Sequence, residues 1–132
     1  MEREKLIEYW LNSSDRDYIT MENLLKSNDY HWSLFIGHLV IEKLIKAIYV
    51  KNLSDIQNPP QSHDLTLLAY KAKLEISDSQ KDDLDRITAF NINARYPDYK
   101  MSFYNKCTKE FTEGQIEIIK GVRLWLKELI KH

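Results

Sequence analysis

Two stretches of this sequence hold the residue types that move protons and bind phosphate. In the first, His38, Glu42 and Lys46 recur at steps of four, with Lys43 beside them. On a helix, His38, Glu42, Ile45 and Tyr49 fall along one side, and Glu42 and Lys46 stand in the favourable order for an ion pair one turn apart. Exposed, that pair contributes only about 0.2–0.5 kcal/mol and the stretch is a solvated edge. Glu42, however, interrupts an otherwise apolar face. A carboxylate there must be hydrogen-bonded or paired, through His38 or through a group on a facing helix.

The second stretch is Asn93-Ala94-Arg95-Tyr96-Pro97-Asp98-Tyr99-Lys100, continuing to Lys109. Arg95, Lys100, Lys106 and Lys109 meet a single acid, Asp98, before Glu110, and Tyr96, Tyr99, Phe103 and Tyr104 interleave with them. Guanidinium and ammonium groups attract phosphate. Aromatic faces stack on bases at about 1–3 kcal/mol per base. The mixture suits a nucleotide or single-stranded RNA. The plainer alternative is a loop whose aromatics cover the end of a bundle, with Arg95 bonded to Asp98.

Other chemistries find little support. His31, His38, His63 and His132 form no His-x-x-x-His pair, and one cysteine cannot make a Cys-x-x-Cys, so no metal site is expected. Cys107, between basic residues, reads as an incidental thiol. No glycine-rich phosphate loop occurs, and no cofactor is expected. With 132 residues the chain fits one domain, residues 1–132. Its 19 basic and 20 acidic residues leave a net charge of −1, which excludes a general nucleic-acid coat but not a local basic patch. A single cysteine allows no intrachain disulfide, and no run of about 18 apolar residues is present. A soluble cytoplasmic protein with no membrane contact is the expectation.

The elements that must position these residues are helices. Three glycines and three prolines in the whole chain argue against a turn-rich β fold. Leu6, Trp10, Ser14, Asp17, Met21, Leu24 and Leu25 mark one face of a first helix from about Glu2 to Ser27, with Asn12 to Asp15 as its weak spot. Ser27-Asn28-Asp29 supplies a stop and a new cap. The second helix, about Tyr30 to Asn52, is apolar over so broad a face that it belongs at the centre of a bundle. Pro59-Pro60 places a loop over Ser54 to Ser62. Asp64 is the cap expected for a short third helix. Ser77-x-x-Gln80 has the spacing of a capping box for a fourth, which ends near Ala94 because Pro97 disfavours helix at Tyr96. Arg95 to Cys107 reads as irregular, and Thr108 or Thr112 caps the last helix. The fold class is all-α, an up-and-down antiparallel bundle of four to five helices.

Taken in order, these pieces resemble the HEPN domain family. The resemblance rests on Tyr9-Trp10 and Asp17, then Leu24-Leu25 and Tyr30, then Glu42-Lys43-x-x-Lys46-Ala47. His63-Asp64-Leu65 and Ala94-Arg95-Tyr96-Pro97-Asp98 complete it. It implies a helical bundle, commonly a homodimer, often encoded beside a minimal nucleotidyltransferase in toxin–antitoxin, defence or resistance settings. Many active relatives are metal-independent ribonucleases with an Arg-x(4–6)-His motif. Here the place of that histidine falls on Lys100, Met101 or Ser102, so the motif is absent. A lysine of ordinary pKa is a poor general base at neutral pH. Arg95-Tyr96-Pro97-Asp98 looks like the nucleotide-binding branch of the family. The leading expectation is a nucleotide- or RNA-binding module in which Arg95, Lys100 and Lys43 or Lys46 meet phosphate. Tyr96 or Tyr99 would stack on a base, and Asp98, Glu42 and Asp17 would orient the cations. The alternatives are a ribonuclease toxin in which His63 or His38 replaces the missing histidine, and a non-catalytic dimerising bundle.

Overall fold

The computed structural model describes residues 2–53, 58–98 and 101–131. They form α1 (Glu2–Lys26), α2 (Tyr30–Asn52), α3 (Leu65–Lys71), α4 (Asp78–Arg95), α5 (Ser102–Lys106) and α6 (Lys109–Lys131). The architecture is all-α, with four long helices and two short ones. Six helices replace the expected four to five because the stretch after Pro97, expected to be irregular, contains one helical turn, α5. Its start is stabilised by Asp98, whose carboxylate accepts from the Ser102 backbone N–H and hydroxyl, both at 2.8 Å. No helix among the described residues is long and apolar enough to cross a membrane.

The apolar breadth of α2 is explained by its neighbours. It packs against α1, α3, α4 and α6, so Leu34, Val40, Ile41, Leu44, Ile45 and Ile48 are all buried although they point in different directions. The weak spot in α1 is where it is pinned. Ser14 is fully buried and donates to the Val40 carbonyl at 2.8 Å, while Ser33 of α2 donates to the Met21 carbonyl at 2.8 Å. Seven residues separate the two contacts on each helix, the register of an antiparallel hairpin closed by the Ser27–Asp29 turn. Hydroxyls that compete with helix locally here bond across it, and α1 stays continuous.

The ends follow the capping rules in part. Asp64 accepts from the Leu67 N–H at 3.2 Å, and Ser77 and Gln80 form a reciprocal capping box. Thr108 caps α6 through the Phe111 N–H, and Thr112 is instead buried within that helix. Asn28, at φ 66°, provides the left-handed stop after α1, but the Asp29 side chain makes no cap bond. It accepts from the Ser27 hydroxyl at 2.7 Å. Lys51 of α2 donates to the carbonyls of Leu129 and Ile130, satisfying the last turn of α6.

Gly37 sets how closely the helices approach. A Cβ there would lie 2.5 Å from Ile119 Cδ1 and 3.1 Å from Met21 Sδ. Gly37→Ala gains about 1 kcal/mol of helix propensity but forces that methyl aside, at about 1–3 kcal/mol. The variant is therefore expected to lose about 1 kcal/mol by urea unfolding. In an Ile119→Val background, which lacks Cδ1, the same change is expected to be neutral or stabilising.

Candidate functional site

His38 and Glu42 project from consecutive turns of α2 towards the segment ahead of α3. That segment is held by Pro59, which is buried, by the Asp64 cap, and by the Leu65 N–H, which donates to Thr88 Oγ1 of α4 at 3.1 Å. His63 is thereby brought onto α2. Its Nδ1 donates to Glu42 Oε1 at 2.7 Å, and Lys46 Nζ donates to Glu42 Oε2 at 3.0 Å. Both carboxylate oxygens are satisfied, as a side chain only 5% exposed requires. The pair is thus buried rather than a solvated edge. Lys46 also lies 5.2 Å from the Trp10 ring centroid.

A second branch starts at the same place. His38, fully buried, bonds through Nε2 to the His63 carbonyl at 2.8 Å. A carbonyl only accepts, so Nε2 carries the proton and Nδ1 is left as an acceptor. Asn91 of α4 donates to that Nδ1 from Nδ2 at 3.3 Å, which turns its Oδ1 towards Arg95. Arg95 Nη2 donates to this oxygen, and Arg95 Nε donates to the Asn91 carbonyl at 3.3 Å. The hydrogen-bond sense is therefore determined from Arg95 to the His63 carbonyl. Burial, above all, pushes the His38 pKa below its ordinary value, the nearby His63 and Arg95 acting the same way, while the His63 carbonyl and Glu42 oppose.

The two ends of this network reach solvent. The His63 side chain is 55% exposed, and with Nδ1 committed to Glu42 its Nε2 is the nitrogen left for an outside partner. Arg95 is exposed, its Cζ 5.0 Å from the Tyr96 ring centroid and 5.8 Å from that of Phe35. A histidine oriented by a buried carboxylate is the geometry of an acid–base pair. A guanidinium held against aromatic rings is one suited to phosphate.

Arg95, His38, His63, Glu42 and Lys46 are thus brought together, with Tyr96 at the edge. Lys43 and Asp17 are elsewhere: Lys43 Nζ lies 2.6 Å from Asp17 and donates to Ser13 Oγ at 2.7 Å, joining α1 to α2. Asp98 caps α5, and the orienting role expected of it beside Arg95 is filled by Asn91. Tyr99 and Lys100 lie outside the described residues, as does His132. Asn91 was not singled out from sequence, although a polar residue on the apolar face of α4, one turn before Arg95, is the same signal that marks Glu42. Among the described residues no cluster of His, Cys, Asp and Glu is arranged to hold a metal. Cys107 is buried, and burial pushes its thiol up to about 11. Iodoacetamide at pH 8 is expected to leave the native protein unmodified and to alkylate it fully in urea, as intact mass will show.

The HEPN domain family matches this chain over residues 7–129. The crystal structure of TT1696 from Thermus thermophilus superposes with a TM-score of 0.77 at 15% identity, covering 92% of this chain and 96% of that one. At that identity the likeness establishes the fold. No curated protein sequence matches the chain. With the helical bundle, the Arg95-Tyr96-Pro97-Asp98 turn after α4 and a match that spans nearly the whole length, the chain belongs to the HEPN domain family.

Proposed function

We propose that this protein is a cytoplasmic nucleotide- or RNA-binding module of the HEPN type, acting as a homodimer beside a minimal nucleotidyltransferase in a toxin–antitoxin or defence system. The observation that carries the binding reading is the tethering of Arg95. Of a guanidinium's five N–H donors, two are taken by Asn91, which leaves three on an exposed side chain. Asn91 is itself anchored by His38. The cation is therefore held in place before a phosphate arrives, which reduces the ordering cost of binding. Tyr96, two-thirds exposed and against that guanidinium, offers a ring on which a base stacks.

Labelled single-stranded RNA with chelator, titrated at low and high salt, tests this reading. Wild type is expected to retain RNA with an affinity that falls steeply with salt, and Arg95→Ala to weaken it about tenfold. Equal retention by both proteins would remove Arg95 as the phosphate contact. The His63–Glu42 pair favours a second reading, a metal-independent ribonuclease in which His63 Nε2 moves the 2′-hydroxyl proton. That reading requires cleavage in the same tubes, lost in both His63→Ala and Arg95→Ala. A purely dimerising bundle would show neither retention nor cleavage.

A further inference from the structure

Gly114 and Gly121 stand on the outer side of α6, and a Cβ built on either would meet nothing within 4 Å. Gly37 is crowded by Ile119, whereas nothing among the described residues crowds these two. Glycine inside a helix is less favourable than alanine, so two at exposed positions weaken α6 with no compensating contact in the protomer. The residues between and after them complete a seam. Gly114, Ile118, Gly121 and Trp125 follow at steps of four, three and four, the spacing of a coiled-coil interface. Ile118 and Trp125 are half-buried against the core, and Leu124 beside them is 63% exposed.

Shape and charge along this seam select the same occupant. Large and small residues alternate, so an identical helix running antiparallel, about a two-fold axis between Ile119 and Lys120, sets each large residue on a glycine. Trp125 of one copy meets Gly114 of the other, Ile118 meets Gly121, and the symmetry repeats both contacts. Parallel pairing would set glycine on glycine and Trp125 on Trp125. The N-terminal half of α6 exposes Glu110, Glu113 and Glu117, none with an ion pair among the described residues. The C-terminal half carries Lys120, Arg123, Lys127 and Lys131 against Glu128. Antiparallel pairing therefore sets acid on base. Glu110 comes opposite Lys131 in the flanking position where ion pairs between helices set orientation. Lys131 meets Glu128 of its own helix at 3.3 Å, but both are exposed, and such a pair exchanges readily. We infer that the outer face of α6 is a pairing surface for a second copy of this chain. The inference rests on the homodimer reading and names its face, which uses no residue of the Arg95 network.

Sedimentation equilibrium of the full chain tests this, with wild type expected to be a dimer at micromolar concentration. Gly121→Arg puts a long side chain into the seam at a position open within the protomer. It is expected to keep the circular dichroism of wild type and to weaken pairing at least about tenfold. Two charge variants read the same face without touching the seam. Glu110→Lys is expected to weaken pairing about threefold, and Glu110→Lys with Lys131→Glu to restore it. A monomeric wild type would overturn this surface together with the homodimer reading. A wild-type dimer that Gly121→Arg leaves intact would overturn the α6 surface alone, and a charge exchange that restores nothing would overturn the antiparallel register.

Discussion

Glu42→Leu is expected to destabilise the protein by about 3–5 kcal/mol, although it replaces a charged residue in the core with an apolar one. The Glu42 and Lys46 side chains are only 5% and 10% exposed, and Nζ lies 3.0 Å from the carboxylate. Removing one partner leaves the Lys46 ammonium without its counter-charge, with the Trp10 ring still 5.2 Å away. It also leaves His63 Nδ1 without its acceptor. Removing both charges is different, because the desolvation of each ion is then no longer required. Glu42→Leu with Lys46→Met is therefore expected to recover most of the loss, measured by urea unfolding of the two single variants and the double. A loss below about 1 kcal/mol for Glu42→Leu would mean that water reaches the pair and that it behaves as a surface bridge.

The same residues show how far the sequence carries the structure. Helix periodicity and capping spacings identify α1 to α4 and α6 because those signals are local: Ser77 needs only Gln80, and Asp64 only Leu67. Glu42 announces a buried carboxylate by standing on an apolar face, but its partner His63 lies 21 positions away. No helical spacing connects them; the proline-containing loop and the docking of α3 on Thr88 do. Asn91 joins His38 across 53 positions, and only packing of α4 on α2 reveals it as the link to Arg95. Asp98 shows the converse failure. Its place after Arg95-Tyr96-Pro97 suggests a partner for the arginine, yet Ser102 at the start of α5 bonds to both of its oxygens. α5 itself is a single turn whose start depends on that cap, so hydrophobic periodicity has too few residues to register.

Acid is expected to weaken the fold through His38. Its folded pKa lies below the 6.5 of the free side chain, chiefly because it is buried. As pH falls through 6.5 the unfolded chain takes up a proton that the folded chain refuses, so stability drops. Above that pH the contribution is fully present. The slope for one proton is about 1.4 kcal/mol per pH unit, which caps the His38 contribution at about 2 kcal/mol between neutral pH and pH 5. Glu42, His63 and Arg95 face the same imidazole, so the test compares slopes rather than absolute stabilities. His38→Gln keeps a donor for the His63 carbonyl and an acceptor for Asn91 but does not titrate. It is expected to be less stable than wild type at pH 7.5 and to lose less on going to pH 5. Parallel loss in the two proteins would place the pH response on another group.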